Sequence, residues 1–133
     1  MAAELTADHV KCFTMNGLLR THQEPEAVQR AVLSQFGWQM RVPEQLRRIG
    51  LELVGSRPCL YGEGKMAHLM YLHEGRPVSI FMLPDAARAR EIVDVLGHEA
   101  AIWSVGGRTF VLIAREPRGD VERMASVVQA VLQ

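Results

Sequence analysis

Lysine is nearly missing from this chain. Of its 15 basic residues only Lys11 and Lys65 are lysines, and the arginines are scattered rather than clustered. Fifteen acids balance them, so the formal charge is zero. That excludes the strong positive field that draws a protein to nucleic acid or to an anionic membrane. Long apolar runs are missing too. No stretch approaches the roughly 20 residues of a membrane-spanning helix, because Gly, His or Arg interrupts each one. Residues 1–10 lack the basic start and apolar middle of a signal peptide. As it stands the sequence reads as soluble, while leaving room for it to be part of a longer membrane protein. Cysteine is scarce. Cys12 and Cys59 are too few for a disulfide-rich scaffold or a cysteine-only zinc site.

Catalytic signatures are also lacking. Gly62-Glu63-Gly64-Lys65 has neither the spacing of a phosphate loop nor its following Ser or Thr. Ser56, Ser79 and Ser104 lack the glycines of a nucleophile elbow. The carboxylate pairs Glu24/Glu26 and Asp120/Glu122 flank helix starts, where the helix dipole accounts for them. The reading is therefore that the chain is not an enzyme.

What is present is the composition of one globular domain: 133 residues, 48% hydrophobic and 23% charged. Ala2 to Phe13 can be helical, and Asn16-Gly17 reads as a turn. Glu24-Pro25-Glu26 starts a helix. Val28, Val32, Leu33 and Phe36 follow at helical spacing, and Gly37 stands where a helix ends. A short helical turn begins at Val42-Pro43-Glu44 and stops by Gly50. From Leu51 the period changes to two, giving strands at 51–61, 65–73 and 78–83 with turns at Gly62-Glu63-Gly64 and 73–77. Asp85 reads as the cap of a helix over about 86–96 closed by Gly97. Two more strands follow, 100–104 and 108–114, joined at Gly106-Gly107, and a last helix after Pro117 carries Val121, Met124, Ala125, Val128 and Leu132 on one face. The expected architecture is α+β: a single antiparallel sheet of about five strands, spanning about 51–114, with helices packed on one face. The chain divides into a segment 1–23 and a core 24–133, within one domain.

Four stretches carry a family likeness. Gly50-Leu51-Glu52-Leu53-Val54-Gly55-Ser56-Arg57, Ala67-His68-Leu69-Met70-Tyr71, Arg76-Pro77-Val78-Ser79-Ile80-Phe81-Met82 and residues 101–112, with Trp103 and Phe110, resemble successive strands of the extracytoplasmic domain of transmembrane anti-sigma factors. The likeness covers roughly two thirds of the chain and consists of strand patterns, not catalytic letters. Asp8-His9-Val10-Lys11-Cys12-Phe13 is similar to a segment of one subgroup just outside the membrane. His68 stands where these proteins usually carry a glutamine-like residue. The resemblance implies an extracytoplasmic or periplasmic sensor anchored through a transmembrane helix that this chain lacks. It also implies a sigma-factor partner held by a cytoplasmic segment, likewise absent here. A homodimer is open, and no nucleic-acid partner is expected.

The residues themselves suggest local chemistry. His9 and Cys12 are three apart, a spacing that can aim both at one ion. Cys59 and His68 lie on neighbouring strands of one hairpin. Together His9, Cys12, Cys59 and His68 form a candidate site for zinc or copper, with Met66 and Met70 alternating beside His68 as a soft-ligand face. The rival for the cysteines is a Cys12–Cys59 disulfide, and two unrelated thiols are the third option. The alternative to a sensor is a metal- or thiol-dependent enzyme or a periplasmic metal carrier.

Overall fold

The computed structural model describes residues 2–19, 25–37, 44–61, 64–84, 90–105 and 108–131. The elements are α1 (Ala2–Leu19), α2 (Pro25–Phe36), α3 (Glu44–Arg48), β1 (Leu51–Tyr61), β2 (Gly64–His73), β3 (Arg76–Pro84), β4 (Glu91–Val95), β5 (His98–Val105), β6 (Arg108–Ala114) and α4 (Arg118–Val131). The six strands form one antiparallel sheet in the order β1-β2-β3-β6-β5-β4. Two three-stranded meanders thus lie side by side, joined where Ile80 of β3 faces Leu112 of β6.

Both meanders turn on two residues in the left-handed region. Glu74 (φ 53°) and Gly75 (φ 80°) connect β2 to β3, and Leu96 (φ 53°) and Gly97 (φ 77°) connect β4 to β5. Two positive φ values match the right-handed twist of the flanking strands, and a glycine adopts the second without strain. In β1 the register slips between Leu53 and Gly55, opposite Tyr71 and Met70, which inserts a bulge at Val54.

Three expectations need correction here. Residues 91–95 are a strand, not the end of a helix; residues 85–89, including the expected cap Asp85, lie outside the described residues. Ile92, Val93 and Val95 are β-branched and pair with β5, so side-chain packing on a pleated surface outweighs the helix signal of Gly97. The sheet therefore has six strands. Second, α1 continues through Asn16-Gly17 to Leu19, with no turn there.

The helices also lie on both faces of the sheet, not one. On the first face Leu69, Tyr71, Ile80, Leu112 and Trp103 pack against Val28 and Val32 of α2, Leu46 of α3, and Val121, Met124 and Val128 of α4. Leu33 of α2 points outward, 46% exposed. On the second face Met66, Phe81, Leu83, Ile102, Val111 and Ile113 pack with Leu5 of α1. The run Ile80-Phe81-Met82-Leu83 and the run Phe110 to Ala114 are apolar on every position. That is the mark of strands covered on both sides.

Candidate functional site

Helix α1 turns one face to the sheet, made by Leu5, Thr6, His9 and Cys12, all buried. Their spacing of three and four residues places them along one side of the helix. The partner surface comes from alternate residues of the strands. His68 on β2 and Ser79 on β3 point the same way, and both are 0% exposed.

These groups meet at one atom. The Ser79 hydroxyl lies 2.5 Å from His9 Nδ1 and 2.6 Å from His68 Nε2. A hydroxyl has one proton, so Ser79 donates to at most one of these nitrogens and accepts an N–H from at least one. The two rings are therefore held in linked tautomers. A third imidazole closes the group: the His98 ring stands edge-on to His9 with centroids 5.1 Å apart. His98 Nδ1 donates to the Leu96 carbonyl at 3.0 Å, which places its proton on that nitrogen. Two aromatic rings complete the walls. Phe81 stacks on His68 at 4.1 Å, and Phe13 lies 5.1 Å from His9 and 6.3 Å from His68.

Burial dominates the electrostatics. It pushes the His9 pKa down to about 3, with the charges of His98 and then His68 acting the same way. At neutral pH His9 is an uncharged, hydrogen-bonded ring. Asp8, at the rim of the same helix, is raised above the usual carboxylate value by burial first and then by Cys12 and Glu4, while His68 and Lys11 oppose the shift.

Of the candidate ligands, His9 and His68 come together through Ser79. Cys12, about one turn along α1, packs in a neighbouring apolar cluster with Val54 and Met70. Met66 is buried in the second-face core with Phe81. Cys59 stands in β1 opposite Met66, and His68 is opposite Arg57; the Cys59 side chain lies outside the described residues. Among the described residues no three His, Cys, Asp or Glu side chains are grouped so that they could hold a metal ion. Ser79 and His98 belong to the site without having been singled out for it. Ser79 could have been found as the one hydroxyl in the apolar run from Val78 to Leu83.

A second buried polar group lies near the other end of the sheet. The Glu116 carboxylate is fully buried and accepts from His73 Nδ1 at 2.7 Å and from Arg76 at 3.0 Å. Its Oε2 has no hydrogen-bond partner. His73 also lines an open groove of about 620 Å³ with Ile49, Arg90, Arg123 and Met124.

Among the described residues no helix is long and apolar enough to cross a membrane. No protein-family model matches the chain, and no curated protein matches it. Among solved structures, the chain is similar to part of one chain in the complex structure of Pseudomonas aeruginosa MucA/MucB. The two are 18% identical with a TM-score of 0.48, over 57% of this chain and 30% of that one. The similarity thus spans less than a third of the matched chain's length.

Proposed function

We propose that this chain is the extracytoplasmic sensing and regulatory domain of a membrane-anchored anti-sigma factor. The stretches that carry the resemblance to that family fall on β1, β2, β3 and the β5–β6 pair. The observation that carries the reading furthest is the seating of α1. This helix holds the segment that the resemblance places next to the membrane, and it is keyed to the middle of the sheet by His9, Ser79 and His68. A change in the sheet is then felt by α1, and through it by whatever α1 is joined to. Ser79, fully buried between two rings, has the setting of a structural hydroxyl and not of a nucleophile open to substrate.

The signal, on this reading, is a thiophilic ion or an oxidant acting at Cys12, which shares the seated face of α1 with His9 and packs against Met70. The partner is a sigma factor held by a cytoplasmic segment outside this chain. The test is a sigma-dependent reporter in cells carrying the full-length protein. Cys12→Ser, Cys59→Ser and Ser79→Ala should each shift reporter output at constant protein level. Output that stays level across all three would defeat the proposal.

A further inference from the structure

The two imidazoles between α1 and the sheet converge on a point as well as on a proton. His9 Nδ1 and His68 Nε2 both aim at the Ser79 hydroxyl, at 2.5 and 2.6 Å. Nitrogens that share one small atom are close enough for one ion beside that atom to bridge them. Their orientation is set in advance. Phe81 stacks on His68 at 4.1 Å, and Phe13 stands 5.1 Å from His9. The rings come from different elements, α1 and β2, so the fold and not local spacing brings them together.

The surroundings of the pair select among ions. Among the described residues no third His, Cys, Asp or Glu side chain completes a metal-holding group. Zinc, which takes four such donors in a closed site, is poorly served. The neighbours of His68 on its face of β2 are thioethers: Met66 and Met70 alternate with it, and all three side chains are buried. Thioether and imidazole together suit copper(I), a soft ion that is satisfied by two or three donors. Charge points the same way. A divalent ion would bring two charges into a pocket walled by Phe13, Phe81 and methionine. A monovalent ion brings one, and Asp8 at the rim, whose charge reaches His68, offsets it.

We propose that His9 Nδ1 and His68 Nε2 bind one copper(I) ion beside the Ser79 hydroxyl, with Met66 and Met70 as its soft surroundings. The ring that donated to Ser79 shifts that proton to its other nitrogen, which frees the lone pair for the ion; no electron is transferred. The site deepens the functional reading above by naming the ion and by placing it on the imidazoles, about one turn of α1 from Cys12. As a signal it rests on that reading. As a binding site it stands on the geometry.

The test uses the 133-residue chain carrying Cys12→Ser and Cys59→Ser, so that no thiol competes. Copper(I) is titrated without oxygen against the chromogenic chelator bicinchoninate, with silver(I) as a redox-inert stand-in. One ion per chain should bind, X-ray absorption should show nitrogen neighbours, and the bound ion should raise the urea midpoint. Loss of a group merely behind a metal ligand costs roughly 10–100-fold, so His9→Gln and His68→Gln should each weaken binding by about 100-fold or more. Ser79→Ala keeps both rings and should keep the site. Circular dichroism shows whether each ion-free variant is folded. Should a histidine variant unfold, stoichiometry and nitrogen neighbours in the parent chain decide. No copper(I) uptake by the cysteine-free chain, binding that ignores both histidine variants when they fold, or zinc held as tightly would overturn the site. Reporter output that stays level while the chain still binds copper(I) sinks only the anti-sigma reading.

Discussion

His9 shows how a single ring couples the fold to acidity. Its folded pKa of about 3 lies below the ordinary value of 6.5. Between those two values the unfolded chain binds a proton that the folded one refuses. Stability therefore rises with pH through that window, is complete above about 6.5, and is lost as pH falls toward 3. At pH 5 the loss from this one group is about 2 kcal/mol. Other groups titrate in the same range, Asp8 among them, so the clean comparison is with His9→Gln. The wild type should lose about that much more stability than the variant between pH 7 and pH 5 in urea unfolding. Equal losses would mean that His9 keeps its ordinary proton affinity. As candidates His9 and His68 were legible from residue type and spacing. Their convergence on Ser79 was not, because it depends on which strand lies beside which and on where α1 crosses.

At the scale of elements, the two-residue turns carry the sharpest signals. Gly97 has φ 77°, and a Cβ placed there would meet nothing within 4 Å. The cost of substituting it is therefore backbone strain alone. Gly97→Asn should be nearly neutral, since Asn tolerates the left-handed region, while Gly97→Val should cost about 1–2 kcal/mol or more. Thermal unfolding of the two variants separates them; equal melting temperatures would argue against the turn as described. The same residue explains the error in reading 86–96. A glycine after an Ala- and Arg-rich stretch looks like a helix stop, and it serves equally well as the second residue of a hairpin turn. The alternation Ile92, Val93, Val95 is too short to decide the matter until β5 supplies a partner. By contrast α2 was readable at both ends. Pro25 and Glu26 open it, and the Gly37 amide donates to the Leu33 carbonyl at 2.9 Å where it closes.

Across the whole molecule, the covering of both sheet faces is the main departure from what periodicity suggests. Alternating strands call for one dry face and one wet one, and β1 does alternate at its start, with Leu51 buried and Glu52 exposed. The central strands do not. Leu112 and Ile113, neighbours on β6, face opposite layers and are both 0% exposed. Leu112→Ala and Ile113→Ala should then each cost about 2–5 kcal/mol. A sheet wet on its second face would leave Ile113→Ala close to neutral, and urea midpoints decide between the two. The continuous apolar runs in β3 and β6 held this information; what they could not convey is that the covering helix is α1, whose buried face is half polar. The sheet also has two open ends, since it does not close into a barrel. Its edges are β1 and β4, and neither offers a second chain a long straight template. Strand β1 is kinked by its bulge at Val54 and carries Pro58, which has no amide proton to give. Strand β4 is five residues long with Glu91 and Asp94 exposed. Edges shortened, bent and charged in this way resist strand-to-strand stacking. Copies of the domain therefore gain little by joining edge to edge, although no net charge keeps them apart.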